Sequence, residues 1–358
     1  MTALLTGMTA CGAEDPNATR YAFITNTKGT DTAGSAEADI WSGISESAQT
    51  SGYKAAVYTA SSDTAENYLK QFEKASQDKA KLIIACGEEM QKPVYSAQGA
   101  YRTEKFILIN GKPTSENGKK TEIRENTCCV SILWEQEGFL SGYAAVMEGF
   151  RNLAFMAGPK TDENVRSCSG FIQGAEQAAS ELALAPGSVT INGEYAKSDE
   201  LTPLRMSDAL NWYNNKGTEI IFAVGENMTV ACAKAAQIVD RRVISGGVDL
   251  TGSYEKVLFG MVPDYKAVTL LALKSFETKD GFQGGKAISY GAGDGCIRIS
   301  VDYSRFASFT SDMFNSIVGK ISDGSVTVSD KEILSGNTEV TLSVSDLSVS
   351  SQDSSSGT

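Results

Sequence analysis

The sequence predicts an α/β fold built as two doubly wound, parallel-sheet lobes joined by a hinge. Three observations predict it. Short apolar runs alternate with longer stretches of helical period along most of the chain. The alternation restarts near Trp134, as if one unit had ended and another begun. The chain has 358 residues, more than one compact core usually holds.

In order, the first apolar run is 21–25, followed by a helical stretch over 38–50. The run 54–58 precedes a helix opened by Ser62 and Asp63, with Tyr68, Leu69, Phe72 and Ala75 on one face. Residues 82–86 are wholly apolar and end at Gly87, the pattern of a parallel strand buried on both faces. A helix over 90–98 and strands over 105–110 and 127–131 complete the first set. The second set opens with a helix over 134–148. Strands at 152–156, 188–192, 219–224 and 242–247 then alternate with helices at 163–184, 205–215 and 228–239. The run 257–260 and a helix over 265–278 read as a return to the first lobe. The expected division is a tether at 1–19, a first lobe of 20–131 plus 258–334, a second lobe of 132–257, and a Ser-rich, disordered tail at 335–358 with at most one short strand near 339–343. Ligands of open α/β sheets bind beyond the carboxyl ends of the strands. Two lobes facing each other at those ends would form a cleft able to close on a solute.

Composition narrows the function. Forty-four acidic residues outnumber 32 basic ones, for a net charge of −12, which disfavours a nucleic-acid partner. Histidine is absent, which removes Ser-His-Asp and Cys-His nucleophile systems and the commonest zinc ligand. No metal or cofactor is expected, and no catalytic residue is assigned. The seven cysteines contain no CxxC pair, and Cys86, Cys128, Cys129 and Cys232 sit in apolar runs as small core residues. Cys11 differs. Small residues precede it after a short apolar stretch, resembling a bacterial lipoprotein cleavage site at which the cysteine takes a lipid. That places the protein on the extracytoplasmic face of the cell membrane, anchored by lipid. No stretch from Arg20 onward is long and apolar enough to span a bilayer.

Several segments together resemble the basic membrane protein family of ABC transporter substrate-binding lipoproteins, the group of the purine nucleoside receptors. Residues 134–145, WEQEGFLSGYAA, are similar to its Glu-Gln-x-x-aromatic-Leu-x-Gly-x-x-Ala helix. Gly170-Phe-Ile-Gln-Gly174 resembles its Gly-aromatic-x-x-Gly helix, and Gly247-Val-Asp249 its Gly-Val-Asp motif. Gly284-Gly285, Tyr290-Gly291 and Gly295 match its late glycine-rich segment. The resemblance runs from about Arg20 to Val318. It implies a periplasmic-binding-protein type I fold, a nucleoside-like ligand, and partnership with the permease and ATPase subunits of an importer. The chain departs from the family pattern where ligand is held: Ala36 stands for a base-stacking Phe, Glu37 for an Asn, and Pro263 for a Lys, with Lys266 nearby.

The candidate ligand residues are Trp41, Asp39, Gly87, Phe171, Gly225, Glu226 and Asp249. Trp41 offers an aromatic face to a base and Asp39 a carboxylate, both near the start of the first helix. Gly87 and Gly225 end strands and permit close backbone approach, and Glu226 follows directly. Asp249 follows the 242–247 run, just past its closing glycine, and suits a pair of hydroxyls; a turn-capping role is its alternative. Phe171 stacks on ligand or belongs to the core. Two other functions share the fold: a ligand-sensing receptor that signals to a membrane partner, and an enzyme processing nucleosides or sugars. A repressor core would need a basic helix-turn-helix segment at its start, which is missing here.

Overall fold

The computed structural model describes residues 19–32, 34–278 and 281–346. Cys11, most of the proposed tether and the end of the proposed tail lie outside the described residues. Within them the chain forms two compact units, one of the described residues up to Ser131 with Tyr265–Ile288, the other of Ile132–Asp264 with the described residues from Ser289 onward.

The chain enters the first unit at β1 (Thr19–Thr25), α1 (Ala36–Ser51), β2 (Lys54–Thr59), α2 (Ala65–Gln77) and β3 (Leu82–Cys86). It continues through α3 (Gln91–Ala100), β4 (Lys105–Ile109) and β5 (Thr127–Ile132). The second unit then runs α4 (Trp134–Glu148), β6 (Asn152–Ala157), α5 (Asp162–Glu181), β7 (Val189–Tyr195), α6 (Pro203–Asn215), β8 (Ile220–Val224), α7 (Glu226–Val239), β9 (Arg242–Gly246) and β10 (Val257–Pro263). α8 (Tyr265–Glu277) and β11 (Lys286–Tyr290) follow, then β12 (Ile297–Ile299), α9 (Ser311–Ser322) and β13 (Val340–Asp346). Helix starts are fixed locally: Ser35, Thr64, Thr161 and Thr310 each accept a backbone N–H of their first turn.

The strand order is β11-β5-β4-β3-β1-β2 in the first sheet and β12-β10-β9-β8-β6-β7-β13 in the second. β1 to β5 run parallel, as do β6 to β10. Leaving out β11, β12 and β13, both sheets repeat one winding, with β6 to β10 in the places of β1 to β5. The first strand of each set (β1, β6) lies between the second (β2, β7) and the third (β3, β8), so each sheet has a topological switch point beside its first strand. The apolar runs read from the sequence are these central strands: Tyr21, Phe23, Ile83, Ile84, Leu153, Phe155, Ile221 and Phe222 are all fully buried.

Two expectations need correction. The first lobe does not take 258–334. β10 stays in the second unit because it pairs with β9 (Met261↔Gly246) and, antiparallel, with β12 (Pro263↔Ile297). Only Tyr265–Ile288 returns to the first unit. There Tyr21 Oη and Ser47 Oγ donate to Glu277 Oε1 at 2.6 and 2.7 Å, holding α8 beside β1 and α1. The tail needs only a partial correction: the one short strand expected near 339–343 is present, and as β13 it runs on to Asp346. β13 lies parallel to β7 from Val340↔Val189 to Asp346↔Tyr195, and Val340 is buried. The alternating Val340, Leu342 and Val344 provide the period of two that the Ser and Thr content obscures.

Candidate functional site

At the carboxyl end of β3, Gly87 takes φ +101° and donates its N–H to Ile109 O at 3.0 Å. At the carboxyl end of β8, Gly225 takes φ +91° and donates to Gly246 O at 3.1 Å. These backbone conformations are essentially confined to glycine. The chain therefore turns off the third strand in the same way in both units, beside each switch point.

In the first unit this strand end is rich in acceptors. Asn26 Nδ2 donates to Glu37 Oε1 at 2.7 Å, so the residue that departs from the family Asn faces the end of β1. Asp63 accepts from Thr27 N and Oγ1, both at 2.9 Å, and from Tyr68 Oη at 3.0 Å. The two bonds from Thr27 hold its carboxyl below the usual range. Glu89 folds back so that an added β-carbon on Gly87 would overlap its carboxylate. Burial pushes the Glu89 carboxyl up, and the charges of Glu37 and Asp63 add to that rise. Asn110, just past β4, has φ +52°, which Asn tolerates better than most residues. Its Nδ2 donates to Tyr265 Oη at 2.7 Å, while its buried Oδ1 finds no partner among the described residues. Turning the amide over would leave Nδ2 unpartnered instead, so one polar atom stays unmatched in either orientation. Trp41 and Asp39 are half-buried on α1, Asp39 in its first turn. Lys266 is committed elsewhere, its Nζ 2.7 Å from Glu46 Oε2.

In the second unit, α4 and α5 pack backbone to backbone through four glycines. A β-carbon on Gly138 would overlap the carbonyl of Ser167, on Gly142 that of Phe171, on Gly170 that of Glu135, and on Gly174 that of Phe139. The two glycine motifs that carry the family resemblance are therefore the two faces of one helix contact. That contact sets the residues at the start of α4. Glu135 Oε2 pairs with Arg166 Nη2 at 2.5 Å, and Gln136 Oε1 accepts from Ala292 N at 2.9 Å. Glu137 Oε2 lies 2.6 Å from Ser167 Oγ, and Oε1 accepts from Gly247 N at 3.2 Å. A β-carbon on Gly247 would lie 3.7 Å from the Trp134 ring, whose buried Nε1 has no partner among the described residues.

Asp249 is exposed and its Oδ1 accepts from Thr251 N at 3.0 Å and Oγ1 at 2.6 Å, so it does cap the turn that its ligand role would use. Glu226 opens α7 after Gly225. Asp199 lies over the same strand end, its Oδ1 3.6 Å from the β-carbon position of Gly225 and 3.2 Å from that of Gly158. Burial, and then the charge of Glu226, push its carboxyl up. Of the two readings of Phe171 the core one holds, and it leaves the candidate ligand residues: it has no exposed surface and stacks on Phe222 at 4.9 Å between ring centroids. Asn26, Asp63, Asn110, Trp134 and Asp199 are not among the candidate ligand residues the sequence offers. Asn110 carried a signal, as the last residue of an apolar run; Asp199 sits in a polar loop that carried none. Among the described residues no helix is long and apolar enough to cross a membrane.

The structure is similar to several solved solute-binding proteins. An ABC transporter solute-binding protein from Conexibacter woesei DSM 14684 superposes with a TM-score of 0.66 at 14% identity, covering 87% of this chain and 99% of its own. One from Aeropyrum pernix K1 gives 0.62 at 14% identity, covering 88% and 94%. A sugar-binding protein of an ABC transporter from Bacillus halodurans gives 0.59 at 15%, covering 81% and 99%. The fold is thus that of the type I periplasmic solute-binding proteins. Residues 25–332 match the family Bmp, ABC transporter substrate-binding protein PnrA-like. With the two wound sheets, their paired strand-end glycines and the α4–α5 motifs in place, the chain belongs to the Bmp family of ABC transporter substrate-binding proteins.

Proposed function

We propose that the protein captures a nucleoside-like solute at the carboxyl ends of its strands and delivers it to the permease and ATPase subunits of an importer, tethered to the extracytoplasmic face of the membrane by lipid on Cys11. The observation that carries the reading is the acceptor excess at the strand end of the first unit. Glu37, Asp63 and Glu89 gather there, with Asn110, whose Oδ1 has no partner among the described residues. Such a set suits a solute that brings donors, as ribose hydroxyls and an exocyclic amine do. In the same unit Trp41 offers a face for a flat ring. Asp249, exposed beside the Gly247 turn, supplies a carboxylate for hydroxyls. Capture needs no bond to form or break.

A thermal-shift panel of nucleosides, nucleobases, flavins and sugars tests the solute. A ligand at a hundredfold excess over its Kd should add about 2.7 kcal/mol of stability. A response to sugars but not to nucleosides would overturn the nucleoside assignment. Turnover of a bound nucleoside would overturn the transport reading in favour of an enzyme. Radiolabelled palmitate incorporation in a bacterial host, lost in Cys11→Ser, tests the anchor.

A further inference from the structure

Glu137 has no exposed surface, yet it faces the carboxyl end of β9 rather than the centre of the core. A β-carbon on Gly246 would stand 3.1 Å from its Oε1. Gly247, whose N–H it accepts, has φ +75° and lies two residues before Asp249. Among the described residues no Lys or Arg pairs with Glu137. On α4 and α5 the nearby charges, Glu135 and Arg166, are spent on each other. Cys168 on α5 is fully buried, and burial pushes its thiol up. β8 and β10 carry no charged residue, β9 carries only Arg242 at its opposite end, and Asp249 in the turn is exposed. A lone carboxylate there would be a buried charge without a counter-ion. In the ionised acid Ser167 Oγ donates to Oε2; a neutral acid keeps both contacts with that one reversed, its hydroxyl donating to Ser167 Oγ while the other oxygen still accepts from Gly247 N–H.

We propose that Glu137 is a positioning residue that, as the neutral acid, holds the Gly247 backbone and so sets the turn that presents Asp249 to the solute. The step from turn to solute rests on the function proposed above; the hold on Gly247 does not. The test follows the Gly247 amide by NMR from pH 6 to 10 and the response to the solute panel, in wild type and in E137Q, E137A and S167A. In wild type the Gly247 amide proton should titrate with a midpoint near 8, the value to which burial pushes this carboxyl. In S167A the midpoint should move higher, because the serine hydrogen bond favours the ionised form. E137Q keeps an acceptor for Gly247 and a donor for Ser167, so its Gly247 resonance should stay protected and flat with pH, with solute binding rescued. E137A should lose Gly247 protection and bind the solute about tenfold more weakly, as loss of one net hydrogen bond implies. A wild-type Gly247 resonance that is flat, or that titrates near 4.5, overturns the proposal. So does an E137Q in which Gly247 is unprotected, or an E137A that binds as wild type does. Should E137A fail to fold, the wild-type, E137Q and S167A titrations still decide. A panel with no hits removes the proposed function and leaves the Gly247 result standing.

Discussion

Gly138 and Ser167 meet with no room for a side chain between them: a β-carbon on Gly138 would overlap the Ser167 carbonyl oxygen. The contact belongs to a run of four on facing helices, and it brings the Glu137 carboxyl against Ser167 Oγ and Gly247 N.

Gly138→Ala and Gly174→Ala should each destabilise the second unit by about 3 kcal/mol or more, since backbone rather than a flexible side chain blocks the new methyl group. The same substitution at Gly319, which has open space at its β-carbon position, should be near neutral or stabilising. Urea unfolding of the three variants checks the contrast.

The buried acid at 137 fixes the sign of a pH effect. Its carboxyl is raised from 4.5 to about 8 in the folded protein, so the folded state binds more protons than the unfolded chain across that window. Stability must therefore fall as pH rises from about 4.5 to about 8, by up to about 1 kcal/mol per unit, and this contribution should then level off. Other carboxyls shift in both directions, so the quantity to measure is the difference between wild type and E137Q. The difference should grow in favour of E137Q across the window; urea midpoints at pH 5, 6.5 and 8 give it.

Strand β13 closes one edge of the second sheet, with Val340 buried against its neighbours. Val340→Asp should cost about 2–3 kcal/mol by placing a carboxylate in that apolar position. Exchange protection should drop along β7 and stay unchanged in β1 to β5. Unchanged protection in β7 would mean that β13 adds nothing to the sheet.

If the proposed capture uses Asp249, Asp249→Ala should abolish the thermal shift given by the best panel ligand. Asn110→Gly should weaken binding about tenfold while keeping the backbone comfortable at φ +52°. An unchanged shift in both variants would remove both residues from the site.

Much of the fold was legible because period and punctuation are local. The run at 82–86 ending in Gly87 and the run at 219–224 ending in Gly225 became β3 and β8, and the helix read over 134–148 is α4 to the residue. Local signals also named the strand-end positions Gly87, Gly225 and Asp249. They could not say that Phe171 stacks inward on Phe222, because an aromatic residue between two glycines reads the same whichever face it turns. They could not pair β13 with β7 either, because a parallel edge strand is recognised by a partner about 150 residues away.

By itself the sequence determined the α/β class, the repeated winding and the motifs of the Bmp family, since these depend on the order and spacing of residues. Only the tertiary structure decided where the chain leaves and re-enters each unit, why the glycine motifs exist, and which polar groups end without partners. Those are properties of side chains brought together across long sequence separations. That Glu137 meets Gly247, and that Asn110 Oδ1 has no partner among the described residues, follows from packing and desolvation, which no local pattern encodes.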